Sequence, residues 1–431
     1  MSNNLARPVT VVLVAAGHRS LIYAEYAKRH PDEMRVTGIV EPDPELRRRA
    51  ADQFSLPEHS VYESVEELTQ RSGLIADAAI NGTMDKLHVP TTLPLLAAGY
   101  DVLLEKPIGI SIEEIHDLQA AAHKYSRKVM ICHVLRYAPF YMEIHKRVMA
   151  GTIGELLSIQ TIENVSYHHM AMGFLRGKWN NKEVCGSSML LAKCCHDLDL
   201  LVWLKNGVSP IAVSSFGGLQ YFREEFAPAG SGERCYDCDI ESACDYSAKK
   251  HHVEMGAWKT YLDPSYRLGY VPTDEELAEL LRTSSPYGRC VWKSDNNVVD
   301  HQTVIVEFAD GTTASHNMTG GVSKPCRRIH LLGTKGEIEG ELEDNSFVIR
   351  HPDPRRGHEF REERVELGNV NTDSHGGGDL RLVGDFVRIL KGEQPSASYT
   401  SLDTSVLSHE IGFAADRSME RRETVLLQER P

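Results

Sequence analysis

The sequence predicts two domains, a doubly wound parallel α/β domain over about residues 1–134 and an α+β domain over about residues 135–431. In the first, short apolar, β-branched runs alternate with helical stretches, a rhythm typical of a parallel sheet covered by helices. In the second, strand-like segments cluster, and hairpin-like turns such as Asp310-Gly311 join several of them. At 431 residues the chain is also longer than one hydrophobic core usually supports.

The elements of the first domain are predicted from its apolar runs. Val9–Val14 is almost wholly apolar and β-branched, as expected of a strand buried on both faces. Further strands are predicted at 34–40, 76–80, 102–105 and 129–133, and helices at 21–30, 44–54, 88–98 and 111–125. This alternation predicts a sheet whose ligands bind beyond the carboxyl ends of its strands.

The elements of the second domain follow a different rhythm. Helices are predicted at 140–150 and 189–204, the second strongly apolar, and the last long helix at 379–390. Strands are predicted at 156–167, 211–216, 302–308, 312–318, 328–332, 336–341 and 346–350. A polar, Cys-bearing insertion occupies about residues 227–290, with some helix at 274–282. Antiparallel strands gathered after an α/β half predict an α+β domain.

Composition and charge narrow the classes of partner. The chain is 41% hydrophobic and 25% charged, which is typical of a globular protein in water. A net charge of −14 argues against nucleic acid and against an acidic membrane surface. No apolar run approaches the roughly 20 residues that span a bilayer, and the N-terminus lacks the apolar region of a signal peptide. Nine cysteines, an odd number, favour a reducing, cytoplasmic location.

The turn after the first strand is a candidate dinucleotide site. A strand, a glycine-bearing turn and a helix present backbone N–H groups to a pyrophosphate, and here the turn carries Gly17, His18, Arg19 and Ser20. The fit to G-x-G-x-x-G is poor, because only the middle glycine is present. Glu41 ends the second strand, where an acid hydrogen-bonds the ribose of NAD and repels the extra phosphate of NADP. The alternative is that Glu41 is a solvated loop residue.

The tripeptide Glu105-Lys106-Pro107 follows an apolar strand and marks the ligand-binding edge of the predicted sheet. A lysine at this edge can hold a phosphate or hydroxyl, or lose its proton if its pKa is lowered. Taken alone, the tripeptide favours a surface lysine at a strand end.

Several short motifs, in order and at the right spacing, resemble the glucose–fructose oxidoreductase / inositol dehydrogenase / MocA family (Gfo/Idh/MocA). The resemblance covers nearly the whole chain. The segment 81–88 is similar to the family's T-P-x-x-x-H segment, although Met84 replaces the usual proline. The other matching segments are Glu105-Lys106-Pro107, Arg136-Tyr137-Ala138-Pro139, Gly151-Thr152-Ile153-Gly154-Glu155, and His196 with Asp199.

The resemblance implies an α/β Rossmann domain plus an α+β domain with a large open-faced, mostly antiparallel sheet. It also implies that NAD(P) accepts or returns a hydride at a secondary hydroxyl of a sugar, cyclitol or sugar derivative. By position, Lys106 would contact the substrate hydroxyl and the nicotinamide ribose, and His196 would be the acid/base. The implied cofactor-binding residues are Gly17, His18, Arg19, Ser20, Glu41, Thr83, His88, Glu105, Lys106 and Arg136.

The chain departs from the family pattern on the helix that carries His196. Many relatives have an Asp four residues before this histidine, where this chain has Ala192. Lys193 lies three residues before His196 and therefore shares its helix face. We expect Lys193 to join the catalytic group and to depress a neighbouring pKa, and the alternative is a surface lysine.

Five residues are predicted to contact the substrate. His169 and the segment with Arg176 and Trp179 would lie over the open face of the sheet, where an aromatic ring beside cations suits a sugar. Tyr137 and His375, the latter in the loop before the helix at 379–390, are further candidates. The alternative for the loop residues is simple packing.

The insertion carries a candidate metal site. Cys235-x-x-Cys238, with Cys244 further on, has thiolate spacing that suits tetrahedral, structural zinc. A fourth ligand is not evident, and Cys290, His251 and His252 are the candidates. The alternatives are free buried thiols or a disulfide.

Two enzymatic functions remain open at this point, with a non-catalytic NAD-binding sensor as a third class. The first is an NAD-dependent oxidoreductase acting on a secondary hydroxyl of a sugar or glycoside. The second is a redox-neutral NAD-dependent glycoside hydrolase, which transiently oxidises C3, eliminates the aglycone, adds water and reduces the ketone again. An exposed open sheet also predicts a homodimer or homotetramer.

Overall fold

The computed structural model describes residues 7–71, 73–262, 272–368 and 374–427, and within them it confirms the predicted fold class. The strands are β1 (Val9–Val14), β2 (Met34–Val40), β3 (Val61–Tyr62), β4 (Ala78–Asn81), β5 (Asp101–Leu104), β6 (Val129–Ile131), β7 (Leu156–Ser166), β8 (Pro210–Gly218), β9 (His301–Phe308), β10 (Thr313–Val322), β11 (Cys326–Gly333), β12 (Gly336–Glu341), β13 (Ser346–Pro352), β14 (Phe360–Glu366) and β15 (Val425–Leu426).

The α-helices are α1 (His18–Arg29), α2 (Pro44–Gln53), α3 (Val65–Gln70), α4 (His88–Ala98), α5 (Ile112–Tyr125), α6 (Pro139–Met149), α7 (Tyr167–Met170), α8 (Lys182–Cys185), α9 (Met189–Leu204), α10 (Lys259–Leu262), α11 (Asp274–Arg282), α12 (Gly378–Leu390) and α13 (Leu402–Arg421). Short 3-10 and π turns also lie within the described part of the insertion.

The first sheet has six parallel strands in the order β3-β2-β1-β4-β5-β6, with β1 at its centre. This order reverses direction between β1 and β4, and dinucleotides bind at such a switch point. Five of the six residues of β1 are fully buried, since helices cover both faces of the sheet. The turn after β1, Glu41 after β2 and Lys106 after β5 therefore lie along one edge.

The second sheet has nine strands in the order β14-β13-β12-β11-β7-β10-β9-β8-β15. Its pairs are antiparallel except for the parallel pair of β7 and β10. Exposure alternates along β9, in which Val304 and Val306 are buried while Ile305 is 47% exposed. One face is therefore covered and the other is open, as predicted.

Helix α9 lies against the covered face and is almost completely enclosed. Every residue of this helix is buried except Lys193. Ser188 begins the helix by accepting the N–H of Leu191, as an N-cap does. Because Lys193 is the only residue of α9 that is not buried, its ammonium faces a cavity while the rest of the helix anchors the domain.

The last long helix is α13, and the prediction that it was the helix at 379–390 was wrong. Small residues, among them Ser405, Ser408, Gly412 and Ala415, occupy the buried positions of α13. It is packed between α9, α5 and β8, so it lacks the apolar stripe that periodicity detects. Gly412 allows this packing, because a Cβ there would meet the Leu191 side chain at 2.5 Å.

Two further features depart from the predicted elements. The short α3 and strands β3 and β14 were not predicted, and β14 is nearly all exposed and charged. Helix α12 packs against α1 in the core of the first domain, although it lies far along the chain. Among the described residues, no helix is both long enough and apolar enough to cross a membrane.

Candidate active site

The nucleotide turn is packed closely against the loop that follows β4. Gly17 begins α1, and the buried Ser20 hydroxyl has no hydrogen-bond partner within the described residues. A Cβ at Gly82 would lie 2.3 Å from this hydroxyl oxygen, so only glycine fits there. The Glu41 carboxylate accepts the N–H of Ala16 at 2.8 Å and of Asp43 at 3.0 Å. Glu41 thereby lies across the turn, and Ser20 keeps a free hydroxyl beside it.

Arg19 joins three parts of the first domain. Its guanidinium pairs with Glu105 at 2.7 Å and with Asp379 at 2.5 Å, and it also contacts the Tyr23 hydroxyl. Burial would raise the pKa of Glu105, but Arg19 and Lys106 outweigh burial and lower it to about 2. The pair is therefore ionised at neutral pH and fixes α1 against β5 and α12.

Lys106 reaches from the end of β5 to helix α9. Its Nζ donates to the carbonyl of Ala192 at 2.6 Å, and its backbone N–H donates to Glu105 at 2.8 Å. The bond between Lys106 and Pro107 is cis. The ammonium group is thus held one helical turn before His196.

His196 is buried at the junction of the two domains. Its ring lies 5.8 Å from that of His133 and 5.6 Å from that of His375, measured between centroids. Its Nδ1 has no hydrogen-bond partner within the described residues. Burial, followed by the nearby Lys106 and His375, lowers the pKa of His196 well below its usual value. The imidazole is therefore neutral at neutral pH and able to accept a proton.

A cavity of about 910 Å³ opens beside this junction. Lys193 lines it and pairs with Glu163 at 3.0 Å, while Arg327 pairs with the other oxygen of Glu163 at 2.8 Å. His169 and His375 line the same cavity. Burial and the nearby Lys193 lower the pKa of His169 well below its usual value. The cavity therefore combines the cations Lys193 and Arg327, the neutral imidazoles of His169 and His375, and four acidic side chains, which are Glu163, Glu343, Asp344 and Glu366.

The insertion contributes aromatic side chains near both the cavity and the nucleotide turn. The Trp258 ring lies 5.1 Å from His169, and its Nε1 donates to His168 at 3.2 Å. The Tyr261 hydroxyl lies 2.6 Å from Nδ1 of His18. Burial and the neighbouring Arg19 lower the pKa of His18 to about 4. This end of the insertion therefore connects the turn to the cavity.

The other predicted site residues on the first-domain side are tied into internal contacts. His88 contacts the carbonyls of Pro107 at 2.5 Å and Thr83 at 3.0 Å, so it braces the two loops that follow β4 and β5. Arg136 is buried and pairs with Asp199 through two contacts of 2.6 Å. Both residues therefore stabilise the structure at the ligand-binding edge of the first sheet.

The structure does not bring Tyr137 and Arg176 to the cavity of Lys193. The Tyr137 hydroxyl donates to Asp385 at 2.8 Å and lines a separate cavity of about 470 Å³. Arg176 turns toward the insertion, where its Nη2 contacts Cys235 Sγ at 3.4 Å. Trp179 lies near the loop that follows β4, because its Nε1 donates to Asp85 at 3.1 Å.

The three predicted metal-ligand cysteines line one small cavity away from His196. Cys235, Cys238 and Cys244 share it with Cys290, one of the fourth-ligand candidates. His251 and His252 instead contact backbone carbonyls.

Sequence reasoning missed Asp379, Glu163 and Arg327. Asp379 lies four residues after His375, and the two side chains contact at 3.2 Å, but the backbone has positive φ at His375, Gly376 and Gly377, so helical spacing does not give this pair. Glu163 and Arg327 lie on β7 and β11, directly opposite one another in the antiparallel pair. No local signal gives this register.

A parallel sheet of this strand order with a glycine-bearing turn, joined to a large open sheet, defines a two-domain oxidoreductase with an NAD-binding fold. Residues 9–133 match the family model "Oxidoreductase family, NAD-binding Rossmann fold", and residues 145–427 match "Oxidoreductase family, C-terminal alpha/beta domain". The chain therefore belongs to the Gfo/Idh/MocA family.

Individual relatives are distant. YteT of Bacillus subtilis (strain 168) is 23% identical over 432 residues, with 95% of each chain covered. Inositol 2-dehydrogenase of Leifsonia xyli subsp. xyli is 30% identical over 182 residues, covering 41% of this chain and 47% of that protein.

Solved structures share the fold. The WlbA dehydrogenase of Chromobactrium violaceum, in complex with NADH and UDP-GlcNAcA, has a TM-score of 0.67 at 15% identity, covering 99% of this chain and 98% of that one. An oxidoreductase domain protein of Kribbella flavida has a TM-score of 0.69 at 17% identity, covering 98% and 100%.

Proposed function

We propose that the protein is an NAD-dependent oxidoreductase acting on a secondary hydroxyl of a sugar or glycoside, with Lys106 and His196 at the site of hydride transfer. The observation that carries this proposal is the contact of Lys106 Nζ with the Ala192 carbonyl, which places the ammonium beside the neutral imidazole of His196. A fixed cation and a neutral base at the ligand-binding edge are what alcohol oxidation requires.

The chain's own residues fit a dinucleotide at this edge. The unpartnered Ser20 hydroxyl and the N-terminus of α1 suit a pyrophosphate, and Glu41 favours NAD over NADP through its negative charge. His18, Thr83 and Glu105 border the same edge, and Arg19, His88 and Arg136 hold it in shape. When bound, NAD accepts the hydride and returns it in the reverse direction.

The proton is handled by side chains. Lys106 would donate a hydrogen bond to the substrate oxygen, stabilising the negative charge that grows on it. As the C–H hydrogen leaves as hydride, the O–H proton would pass to the His196 ring. The lowered pKa of His196 keeps this ring unprotonated before the reaction.

The cavity beside Lys193 suits a carbohydrate. At about 910 Å³ it is within the range of pockets for small molecules, and Lys193, Arg327 and Glu163 offer the charged hydrogen-bonding groups that hydroxyls need. His169 and His375 line this cavity and are proposed substrate contacts, with Trp258 beside His169 as an aromatic wall that the sequence did not reveal. Trp179, whose Nε1 donates to Asp85, is a proposed substrate contact on the first-domain side.

A redox-neutral glycoside hydrolase is the second candidate, and the position of Lys193 favours it. Oxidation at C3 acidifies the C–H bond at C2, so elimination needs a second base near the first. Lys193 is one turn from His196 and lies near the neutral His169, whose pKa it helps to lower. His169 could remove this proton while the Lys193 ammonium, paired with Glu163, stabilises the negative charge that forms, and a member limited to oxidation has no need of the pair.

One experiment separates the two candidates. The enzyme is incubated with a panel of sugars and aryl glycosides and with NAD, while NADH and released aglycone are measured together. Oxidation predicts one NADH per product and no aglycone, whereas hydrolysis predicts aglycone release with catalytic NAD and no net NADH. Binding of NAD without turnover on any substrate would favour the sensor class and contradict both.

Location, assembly and metal content are further parts of the proposal. All nine cysteines are free, which agrees with the cytoplasm. Phe216 and Ile305 are 57% and 47% exposed on β8 and β9, so we infer that a second copy covers the open sheet face in a homodimer or homotetramer. We also propose structural zinc at Cys235, Cys238 and Cys244.

A further inference from the structure

We propose that Cys235, Cys238, Cys244 and Cys290 together bind one structural zinc ion that braces the insertion. Cys290 supplies the fourth thiolate and joins the end of the insertion to its beginning. Four thiolates are a common ligand set of structural zinc. The proposal is independent of the reaction that the enzyme catalyses.

The four thiols line one small cavity. Its volume is about 20 Å³, which is about the room that a single water molecule or ion needs. Cys235 and Cys290 are buried, and Cys238 and Cys244 are half-buried. The backbones of the two segments pair nearby, since Arg234 and Arg289 form an isolated antiparallel bridge. The two segments that carry the four thiols are therefore already brought together.

The surroundings of the sulfurs suit thiolates. Cys235 Sγ accepts the N–H of Ala248 at 3.4 Å, while Cys244 and Cys290 accept backbone N–H groups two residues further on. Hydrogen bonds of this kind stabilise a charged sulfur.

Arg176 provides an independent observation. Its side chain is 3% exposed, and its Nη1 has no hydrogen-bond partner in the described part of the chain. Its other nitrogens contact the carbonyls of Arg289 and Tyr246 and the sulfur of Cys235, and none contacts a described carboxylate. A buried guanidinium without a counter-ion is costly. Four thiolates around Zn²⁺ carry a net charge of −2, which would supply that counter-ion.

The sulfurs have to rotate inward to complete the shell. Among the described residues, two other triads bring their donor atoms within 4.8 Å of one another, and these cysteines belong to neither. One triad, with His133, Cys195 and His196, lies near Lys106, and in the other Asp197 pairs with Arg327. Both face a fixed cation that opposes a metal. The cysteine cavity is lined by Arg176 and Arg234, and the Arg234 guanidinium donates to the carbonyls of Leu281 and Ser285. Four thiolates overcome the charge of Arg176.

The consequence is mechanical. A small apolar cluster is formed by Met172 and by six residues of the insertion, Cys235, Ala248, Leu262, Leu277, Leu281 and Tyr287. So small a core usually needs a staple such as a metal. The same insertion carries Trp258 and Tyr261, which contact His168 and His18. Zinc would therefore hold the aromatic wall against the active site.

The test is the metal content of the full chain purified without chelator. We expect about one zinc per chain, with at least a fivefold loss in both Cys238→Ser and Cys290→Ser, because thiolates supply most of the affinity. Cys185→Ser is the matched control: this buried thiol lies in α8 and should leave the zinc content unchanged.

A second measurement covers variants that fail to fold. Wild-type protein loaded with Co²⁺ in place of zinc should show thiolate-to-cobalt charge-transfer absorption. The proposal is overturned by wild-type protein that contains no zinc and takes up no cobalt, by equal loss in Cys185→Ser, or by a disulfide among the four cysteines detected by mass spectrometry. Because the readout is metal content, its failure leaves the proposed redox function untouched.

Discussion

Two walls face each other across the candidate site and use their charges differently. The cofactor wall consists of Arg19, Glu105 and Asp379, which form one closed, mostly buried set of ion pairs. The pocket wall consists of Glu163, Lys193 and Arg327, whose ion pairs border a cavity of about 910 Å³. The first wall satisfies its charges internally, whereas the second presents them to whatever fills the cavity.

This difference separates the predicted residues that we expect to contact cofactor or substrate from those that we expect to stabilise the surrounding structure. Arg19, His88 and Arg136 were expected at the cofactor, and each is tied to other protein groups. Lys106 and Lys193 are also paired, with the Ala192 carbonyl and with Glu163, but Lys106 reaches helix α9 one turn before His196 and Lys193 lines the cavity. We therefore expect substitutions in the first group to change stability and substitutions in the second to change turnover or substrate binding.

The largest effect is expected at Lys106, which lies beside His196 in the candidate site. Lys106→Ala removes the cation beside His196, so kcat/KM should fall by about a thousandfold because the growing negative charge loses its donor. Lys146→Ala, an exposed lysine on α6, is the control and should leave kcat/KM unchanged. Thermal unfolding should show that both variants fold, and near-normal turnover in Lys106→Ala would contradict the assignment.

The next largest effect is expected on the stability of the fold around the site. Arg136→Met leaves the buried Asp199 carboxylate without its partner, which should lower the free energy of unfolding by about 3–5 kcal/mol. The double variant Arg136→Met/Asp199→Leu removes both charges and should recover most of this loss. Urea unfolding measures both. Equal instability of the single and double variants would show that packing, and not charge, is lost.

The two walls can also be compared by the effect of acid on buried histidines that lie behind each of them. Behind the cofactor wall, His409 accepts the N–H of Ile108 at 3.0 Å, and behind the pocket wall His316 contacts Thr161 at 2.9 Å. Burial is the main cause that lowers the pKa of His409 to about 3 and of His316 to about 4.

The folded state thus binds fewer protons than the unfolded state, whose histidines titrate near 6.5. Their stabilising effect is complete above pH 6.5 and is lost as the pH falls below it, by about 1.4 kcal/mol per histidine and pH unit. Glu105 behaves differently: its lowered pKa matters only between about pH 4.5 and 2.

Urea unfolding between pH 7 and 5 checks this difference. His316→Gln and His409→Gln should each flatten the pH dependence, while His123→Gln, at an exposed position, should not. A pH dependence that is unchanged in both buried variants would contradict the account.

The smallest expected effect separates substrate binding from cofactor binding. Lys193→Met breaks the pair with Glu163, so KM for the sugar should rise about tenfold while the Kd for NAD stays constant. Lys193→Arg keeps the charge and should retain most of the affinity. An equal loss of NAD affinity would show that the two walls are not separate.

The sequence singled out Arg19 and Glu105 of the cofactor wall but neither Glu163 nor Arg327 of the pocket wall, and the reason is physical. The turn at Gly17, the acid Glu41 and the segment at Lys106 are local patterns that follow strands, and the strands themselves are apolar runs. Glu163 and Arg327 meet through strand register, and Asp379 reaches Arg19 across 360 positions. Such contacts depend on the tertiary fold.

Helix α13 shows the same limit within secondary structure. Its small buried residues leave no apolar stripe, and only its neighbours α9 and β8 explain why it is helical. The cysteine cavity was predictable only in part. Sequence spacing revealed Cys235, Cys238 and Cys244, while the fold brought Cys290 to them.

The most direct test of the central claim follows the hydrogen itself. A sugar or glycoside substrate carrying deuterium at the oxidised carbinol carbon is mixed with the enzyme and NAD for a single turnover, and the nicotinamide is analysed by mass spectrometry. The account predicts deuterium on the reduced cofactor, retained there in net oxidation and returned to the sugar in the hydrolase. It also predicts that Lys106→Ala and His196→Ala abolish this transfer. Product formed with all deuterium still on carbon and no labelled cofactor at any time would contradict the account.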